Sequence, residues 1–446
     1  LTGRGSRDNF ILLNLTRQQK TCNMSFPKVT SYALLSLLFA ACHRNDDGNM
    51  HPQFNSTITV ENVLNAKPLV ESGTFKGGNT PVIMPGESVS IQFSAGPGQS
   101  VSFAAMYGWS NDMFFAPGNP GIMLYDAQGM PVEGDVSSQM KLWDNGTRVN
   151  QPPGKNVMHP GVATSMNIME VKGMDAQGNS YLPASSLLGA TLKYNGNSMF
   201  TLTLKNTSGG TANETPVSPG VWAISYVAGG QPLQPSPLFK EGAPTANGLT
   251  ALAEMGDNTA LGNYINGLTG IFTPLSPVLV VVYHDIPNPI YKEGETDRGK
   301  GLTRLAQKGD AGPLADYLKT VPGVKAVYVL PVSSTTVLLP AINGQKGGVV
   351  SQQLTLQQGD RIAVATMYGF SNDWFFASKE NGVEAMTKGD ISGSIALYDD
   401  GTAVNQFPGA GITVQLKENI PVKQVPNPNA FTTLPPVSGM IRVTLQ

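Results

Sequence analysis

Two short segments of this chain repeat the same chemistry. Ser110-Asn-Asp-Met-Phe-Phe115 and Ser371-Asn-Asp-Trp-Phe-Phe376 each follow Met-Tyr-Gly or its extension, so a carboxylate, Asp112 or Asp373, leaves the end of a strand just before aromatic residues return to the core. Further along, Asp144-Asn-Gly-Thr147 and Asp399-Asp-Gly-Thr402 place a second carboxylate in a turn, with Asn150 or Asn405 a few residues later. Carboxylates, side-chain amides and loop carbonyls are the hard oxygen ligands of Ca2+, which takes about six to eight of them. Asp112, Asp144, Asp373 and Asp399 are therefore candidate metal ligands on their residue types, with Asn111, Asn150, Asn372, Asp400 and Asn405 as possible supporting oxygens. The same residue types also serve as ordinary turn formers that bond their own backbone. A pair of acids could also act as the acid and base of a glycosidase.

The elements that must position these residues are β-strands. The 446 residues include 50 Gly and 33 Pro, and only 13% are charged, a composition that disfavours long helices and favours short strands joined by turns. With 29 basic against 31 acidic residues there is no basic footprint for nucleic acid. Four His and two Cys leave little material for a zinc site. The sequence has no Gly-x-Ser-x-Gly elbow, no phosphate-cradling Gly-Lys-Ser/Thr loop and no His-Glu-x-x-His. His43, His51, His159 and His284 are scattered, and Tyr107, Trp109, Phe114 and Phe115 read as core rather than as a sugar platform.

Internal repeats organise the chain. Gly98–Ala116 matches Gly359–Ala377, and Leu142–Gly154 matches Leu397–Gly409. A second repeat lies between these cores. Pro216-Val-Ser-Pro219 leading to Gly248-Leu-Thr-Ala-Leu-Ala-Glu254 matches Pro274-Leu-Ser-Pro277 leading to Gly301-Leu-Thr-Arg-Leu-Ala-Gln307. Leu249, Leu252 and Ala253 fall at helical spacing, as do Leu302, Leu305 and Ala306, and a second short helix is predicted through Tyr264 and Tyr317. Period-2 alternation predicts strands at 88–93, 200–204, 353–356 and 441–445. The expected fold is mainly β, two antiparallel β-sandwiches with short helical insertions between the cores, over 55–208 and 209–446, joined by a linker at 206–214. The helical units at 216–268 and 274–320 belong to the second domain on this reading. The first unit either folds back onto the first sandwich or packs against the second unit.

The amino terminus reads as an address. From Met24 the chain has a basic residue, Lys28, an apolar run at 32–41 and then Cys42, the layout of a secretory signal peptide. Leu38-Phe-Ala-Ala-Cys42 is similar to a bacterial lipobox, which would make the Cys42 thiol the lipidation site. Residues 1–41 are then an over-extended start plus signal peptide and 42–54 a tether.

Together these motifs resemble the spondin domain, the β-sandwich of F-spondin and mindin that also occurs in bacterial secreted proteins. The family shows Ser-Pro-Asp-Trp-Phe where this chain has Ser371-Asn-Asp-Trp-Phe375, and Tyr-Asp-Ala-Gly-Thr where it has Tyr398-Asp-Asp-Gly-Thr402. Gly248–Gly256 is similar to its helix, and Leu434-Pro-Pro-Val437 with Ile441–Leu445 to its final strand. The resemblance spans 216–446 and, less closely, 55–205. It implies a Ca2+-binding sandwich used in adhesion to matrix or cell surfaces, with Asp373 and Asp399, and Asp112 and Asp144 in the first copy, carried over as the metal ligands. Joined to the lipobox-like residues, it gives the expectation of a non-enzymatic bacterial envelope protein, lipid-anchored at Cys42 on the outer membrane or cell surface and meeting a surface protein or glycan. The alternative is an envelope hydrolase acting on polysaccharide, or a carbohydrate-binding protein. The family often has an acid after Gly-Thr, where this chain has Arg148 and Ala403. Met113 stands in the first copy where the family has Trp.

Overall fold

A computed structural model describes residues 52–331, 337–411 and 416–446. Cys42, the signal peptide and most of the expected tether lie outside the described residues; chain from Phe54 is already strand. The fold is mainly β, and its sheets pair antiparallel throughout.

The principal elements, in chain order, are β1 Phe54–Asn62, β2 Leu69–Phe75, β3 Ser88–Ser94, β4 Ser100–Tyr107, β5 Met113–Pro117, β6 Met140–Asp144, β7 Leu188–Gly196, β8 Met199–Asn206 and β9 Val217–Ser225. Helices α1 Leu249–Met255 and α2 Thr259–Leu268 follow. Then come β10 Val278–His284, α3 Leu302–Lys308, α4 Gly312–Leu318, β11 Val324–Leu330, β12 Val349–Leu356, β13 Asp360–Met367, β14 Trp374–Ser378, β15 Ile395–Asp399 and β16 Ile441–Leu445.

In the first sandwich, a sheet ordered β3-β8-β7 faces one ordered β2-β9-β4-β5-β6. In the second, β12-β1-β16 faces β11-β10-β13-β14-β15. The larger sheet of each is covered on both sides. β4 is buried along its whole length, because one of its faces meets the sandwich interior and the other meets the helices. Ala104, Phe114, Trp143 and Val221 pack under Leu249, Leu252 and Leu261. Ala363, Phe375, Tyr398 and Val281 pack under Leu302, Leu305 and Leu314 in the second copy. Strands buried on both faces read as continuous apolar runs, whereas β3, β8, β12 and β16, covered on one face, alternate.

The expected domain boundaries do not hold. β1 belongs to the second sandwich. It pairs with β12 from Phe54↔Leu356 to Glu61↔Val349, and with β16 from Ile58↔Leu445 to Asn62↔Ile441. The first sandwich extends past residue 208, because β9 pairs with β2 and β4 and α1 and α2 cover its sheet. Of the two placements open for the unit at 216–268, the observed one is on the first sandwich. The segment 206–214 is no linker between domains. Asn206 Nδ2 donates to the Ile83 and Thr215 carbonyls at 2.9 and 2.7 Å, and the Ser208 hydroxyl donates to Asn206 Oδ1 at 2.7 Å. These bonds hold it inside the first sandwich as the β8–β9 connection.

The two sandwiches therefore share one cyclic order of elements, cut at different places. Matching the repeats and the pairings, β8-β9-α1-α2 corresponds to β1-β10-α3-α4, and β2 through β7 to β11 through β16. In the first sandwich β7 and β8 form a hairpin. At the corresponding point of the second lie the end of the sequence and β1, joined by reciprocal bonds between Thr57 and Gln446 at 2.7 and 3.0 Å. The first sandwich is cut instead between α2 and β2, where Gly270 N donates to Leu69 O at 3.0 Å. Asn62 confirms the match with Asn206: its Nδ2 donates to the Thr273 and Leu338 carbonyls, both at 2.9 Å.

Because Asn62 ties β1 to two other segments inside the second sandwich, Asn62→Ala is expected to lower the unfolding free energy by about 1–3 kcal/mol. Asn206→Ala should cost about as much. Urea titration of both variants checks this; an unchanged midpoint for Asn62→Ala would contradict the placement of β1.

Candidate functional site: paired carboxylates under the Gly-Thr turns

Each site is built where β4 or β13 ends and the chain turns into β5 or β14. The Ser110 hydroxyl donates to Tyr107 O at 2.7 Å and accepts from Met113 N at 3.0 Å; Ser371 repeats this with Tyr368 and Trp374 at 2.7 and 3.1 Å. The turn leaves from Gly108 or Gly369, where a Cβ would lie 2.7 Å from Pro216 O or 2.5 Å from Pro274 O. Only glycine lets the backbone come that close to the Ser-Pro strand.

The turn directs Asp112 and Asp373 inward, and both are fully buried. Asp112 Oδ2 accepts Thr147 N at 2.7 Å, Arg148 N at 2.8 Å and the Thr147 hydroxyl at 3.0 Å. Asp373 Oδ2 accepts Thr402 N at 2.7 Å, Ala403 N at 2.9 Å and the Thr402 hydroxyl at 3.1 Å. The second carboxylate sits beside the first, because Asp144 pairs with Met113 and Asp399 with Trp374. Asp144 accepts Gly146 N at 2.7 Å and Asn150 Nδ2 at 2.6 Å; Asp399 accepts Gly401 N at 2.9 Å and Asn405 Nδ2 at 2.7 Å. All four expected aspartates are thus brought together in two like pairs.

The supporting residues divide. Asn150 and Asn405 hold the second carboxylate. Asn111 Nδ2 donates to Met158 O and Asn372 Nδ2 to Val404 O, both at 2.7 Å, so each braces the loop that follows its Gly-Thr turn. Asp400 is buried against the Thr402 hydroxyl at 3.0 Å.

Several buried oxygens in these turns have no partner. In the first copy they are Asp112 Oδ1, Asn145 Oδ1 and Asn150 Oδ1; in the second, Asp373 Oδ1, Asn372 Oδ1 and Asp400 Oδ1. Buried polar atoms are nearly always bonded, so the clustering of these in two matching turns sets them apart. Among the described residues, no group of three or more His, Cys, Asp or Glu side chains is placed to hold a metal ion. Any cation here would draw on amide and main-chain oxygens beside the carboxylates.

Burial, then the neighbouring Asp144, pushes the Asp112 carboxyl up to about 6; burial, then Asp399, does the same to Asp373. Asp400 is pushed up to about 8 by burial, with Asp297 and Asp373 adding to it. The copies also differ in charge. Asn145 and Arg148 of the first stand where the second has Asp400 and Ala403, and Arg148 Nη2 pairs with Glu254 Oε2 at 2.8 Å. Gln307, at the position of Glu254, donates to the Thr402 hydroxyl at 2.9 Å. Asp399 Oδ2 lies 3.7 Å from Lys423 Nζ.

Sequence reasoning missed Asn145, Glu254, Gln307 and Asp297. Glu254 and Gln307 occupy one position of the helical repeat, directly after the apolar Leu-Ala pair of each helix, and a buried-side polar residue in both copies was the available signal. Asp297 had none.

These carboxyls hold their protons more tightly folded than unfolded. In chelator, stability must then fall as pH rises from about 4 through 6, and on toward 8 for Asp400. The thermal midpoint in EDTA is expected to be lower at about pH 8 than at about pH 5.5, and Asp400→Asn to flatten the upper part of that slope. A midpoint that holds or rises over this range would contradict the burial of these acids.

No protein-family model matches this chain, and no curated protein does either.

Proposed function

We propose that the chain is a non-enzymatic, Ca2+-binding spondin-like protein, anchored to the bacterial envelope through Cys42, whose sandwiches present loops for contact with a surface protein or glycan. The observation that carries the cation is the pair of matching turns in which a buried carboxylate has one oxygen fully bonded and the other with no partner. Carboxylate and amide oxygens are the donor set calcium prefers, and these residues fit it. Asp112 with Asp144 would hold it in the first copy, and Asp373 with Asp399 in the second, with Asn145, Asn150, Asn372 and Asp400 contributing oxygens.

A bound cation would supply the positive charge that two adjacent carboxylates, at least one of them buried in each copy, lack, and would keep both ionised at neutral pH. Its effect on the fold would run through existing bonds. The Asp oxygens already accept from the amides after each Gly-Thr turn, so fixing the carboxylates fixes the loops. Loops held on a rigid scaffold are a common place for binding.

Hydrolysis asks for something different. An acid–base pair must meet a substrate, yet Asp112, Asp373 and Asp399 are closed beneath their turns, and the recesses beside them are lined by other residues. This favours binding over polysaccharide cleavage. The envelope setting rests on the signal-peptide pattern and the lipobox-like residues before Cys42.

Calcium affinity rises with the number of acidic ligands. Calorimetry on chelated protein should show about two equivalents in two steps, the tighter one in the second sandwich, where Asp400 and Ala403 replace Asn145 and Arg148. Asp373→Ala should remove the tighter step and Asp112→Ala the weaker. No heat, with a thermal midpoint unmoved by excess calcium, would overturn the proposal.

A further inference from the structure

The two carboxylate pairs differ in what their loops touch. In the second sandwich the loop after the Gly-Thr turn runs against the first sandwich. Asn405 Nδ2 donates to Asp399 Oδ2 at 2.7 Å, while the Asn405 carbonyl accepts Asn197 Nδ2 at 3.1 Å. Asn197 lies at the tip of the β7–β8 hairpin, so one residue bonds the carboxylate pair on one side and the first sandwich on the other. Four residues on, Gly409 N donates to Phe370 O at 2.8 Å and Gly409 O accepts Gln99 Nε2 at 2.7 Å. Gln99 belongs to the β3–β4 turn of the first sandwich, which is closed by Gln99 N on Gly96 O at 3.2 Å and by Gly96 N on Gln99 Oε1 at 2.9 Å. Gly409 also meets Tyr226, just beyond β9, so closely that a Cβ would lie 2.6 Å from the phenol oxygen.

Phe370 completes this joint. It directly precedes Ser371-Asn-Asp373, and its ring packs against Tyr226 and Phe272 at separations of 5.9 and 5.8 Å. The turn that carries Asp373 and the loop that carries Asn405 are therefore both pressed onto the first sandwich.

The corresponding groups of the first pair have no such neighbour among the described residues. Trp109, at the position of Phe370, has Lys155 Nζ 5.1 Å from its ring centre. Gly154, at the position of Gly409, has nothing within 4 Å of where a Cβ would sit. At the far end of the second sandwich, the turn that corresponds to Gly96–Gln99 is Gln357-Gln358-Gly359-Asp360. It is closed in the same way, by Asp360 N on Gln357 O at 3.1 Å and Gln357 N on Asp360 Oδ2 at 2.9 Å. Its Asp360 carboxylate, however, pairs within its own sandwich, with His284 at 2.8 Å and Lys325 at 2.5 Å. The repeats thus meet head to tail, and the second carboxylate pair lies at their joint.

We propose that the second carboxylate pair is the lock of the joint between the sandwiches. With Asp373 and Asp399 held by a cation, Asn405 and Phe370 are fixed, and the first sandwich is fixed to them through Asn197, Gln99 and Tyr226. A ligand that binds only the ordered turn shifts the local opening of that turn, and contacts that need the ordered turn share the shift. This role rests on the calcium reading above and gives the two sites different tasks, the second holding the sandwiches together and the first ordering a loop that stands clear of the joint.

Hydrogen exchange of the full chain, read by mass spectrometry in calcium and in chelator, tests this. The matched turns at 94–99 and 357–360 are the comparison, since neither supplies a ligand to the cation. Calcium is expected to slow exchange in 402–411 and, by about ten-fold, in 94–99, while 357–360 changes much less; at calcium about a hundred times its Kd the most that full coupling could give is about a hundred-fold. The slowing at 94–99 should be lost in Asp373→Asn, which keeps an acceptor for the Thr402 and Ala403 amides. It should also be lost in Gln99→Glu, which keeps an acceptor for Gly96 N but has no donor for Gly409 O, while 402–411 stays protected. Asn197→Ala, at a hairpin tip, should weaken it. Protection confined to 402–411, equal slowing at 357–360, or slowing at 94–99 that survives Gln99→Glu unchanged overturns the lock and leaves calcium binding standing. No protection in any of these segments, together with no heat on calcium titration, overturns both.

Discussion

One carboxylate in each sandwich joins two stretches of chain that lie some thirty residues apart. Asp112 gathers the amides of Thr147 and Arg148, and Asp373 those of Thr402 and Ala403. Bonds from N–H groups to an ionised carboxylate are short and about twice as strong as neutral ones, so they pin the Gly-Thr turn onto the start of β5 or β14. The second carboxylate, the asparagine beyond it and the loop that follows are all placed relative to that pin. The same arrangement is costly in its bare form, because a buried acid has a second acid beside it, partly buried in the first sandwich and buried in the second. That tension, raised proton affinity on one hand and unpartnered oxygens on the other, is what a cation would relieve.

The scaffold around these pins has one cyclic plan realised with two chain cuts. A hairpin closes β7 onto β8 in the first sandwich, while in the second the same junction joins Gln446 to the start of β1. A sandwich does not depend on where its chain is opened, provided every strand finds its neighbours and its buried face. The second sandwich therefore needs residues from both ends of the described chain, with the whole first sandwich inserted between β1 and β10. The core reflects this: Ile58 and Val60 of β1 share one buried cluster with Leu354, Val443 and Leu445, and that cluster also runs on into the first sandwich.

Much of this was legible in the sequence. The alternation of β3, β8, β12 and β16, the helical spacing of α1 and α3 and the two repeats pointed to these strands, to the helices and to the duplication. The Ser-Asn-Asp and Asp-x-Gly-Thr motifs gave all four aspartates, since the residues that build the site lie within short runs. What stayed hidden was pairing over long separations. Nothing in the residues of Phe54–Asn62 says that this strand pairs with Val349–Leu356 rather than with the strands that follow it. The linker reading of 206–214 failed for a related reason. Ser, Thr, Gly and Asn suit a flexible connection and equally suit a tight loop whose side chains bond Ile83 and Thr215. Glu254 escaped notice because its partner, Arg148, lies more than a hundred residues away.

The most direct test of the account is diffraction from crystals of the protein grown in calcium. The account predicts an ion bonded to Asp373 Oδ1 at about 2.3–2.6 Å, with further oxygens from Asp399 and the surrounding turns, and a second ion at Asp112 at higher calcium. A refined structure in which Asp373 Oδ1 is met by water or by a protein donor, with no ion at either pair of carboxylates, would contradict it.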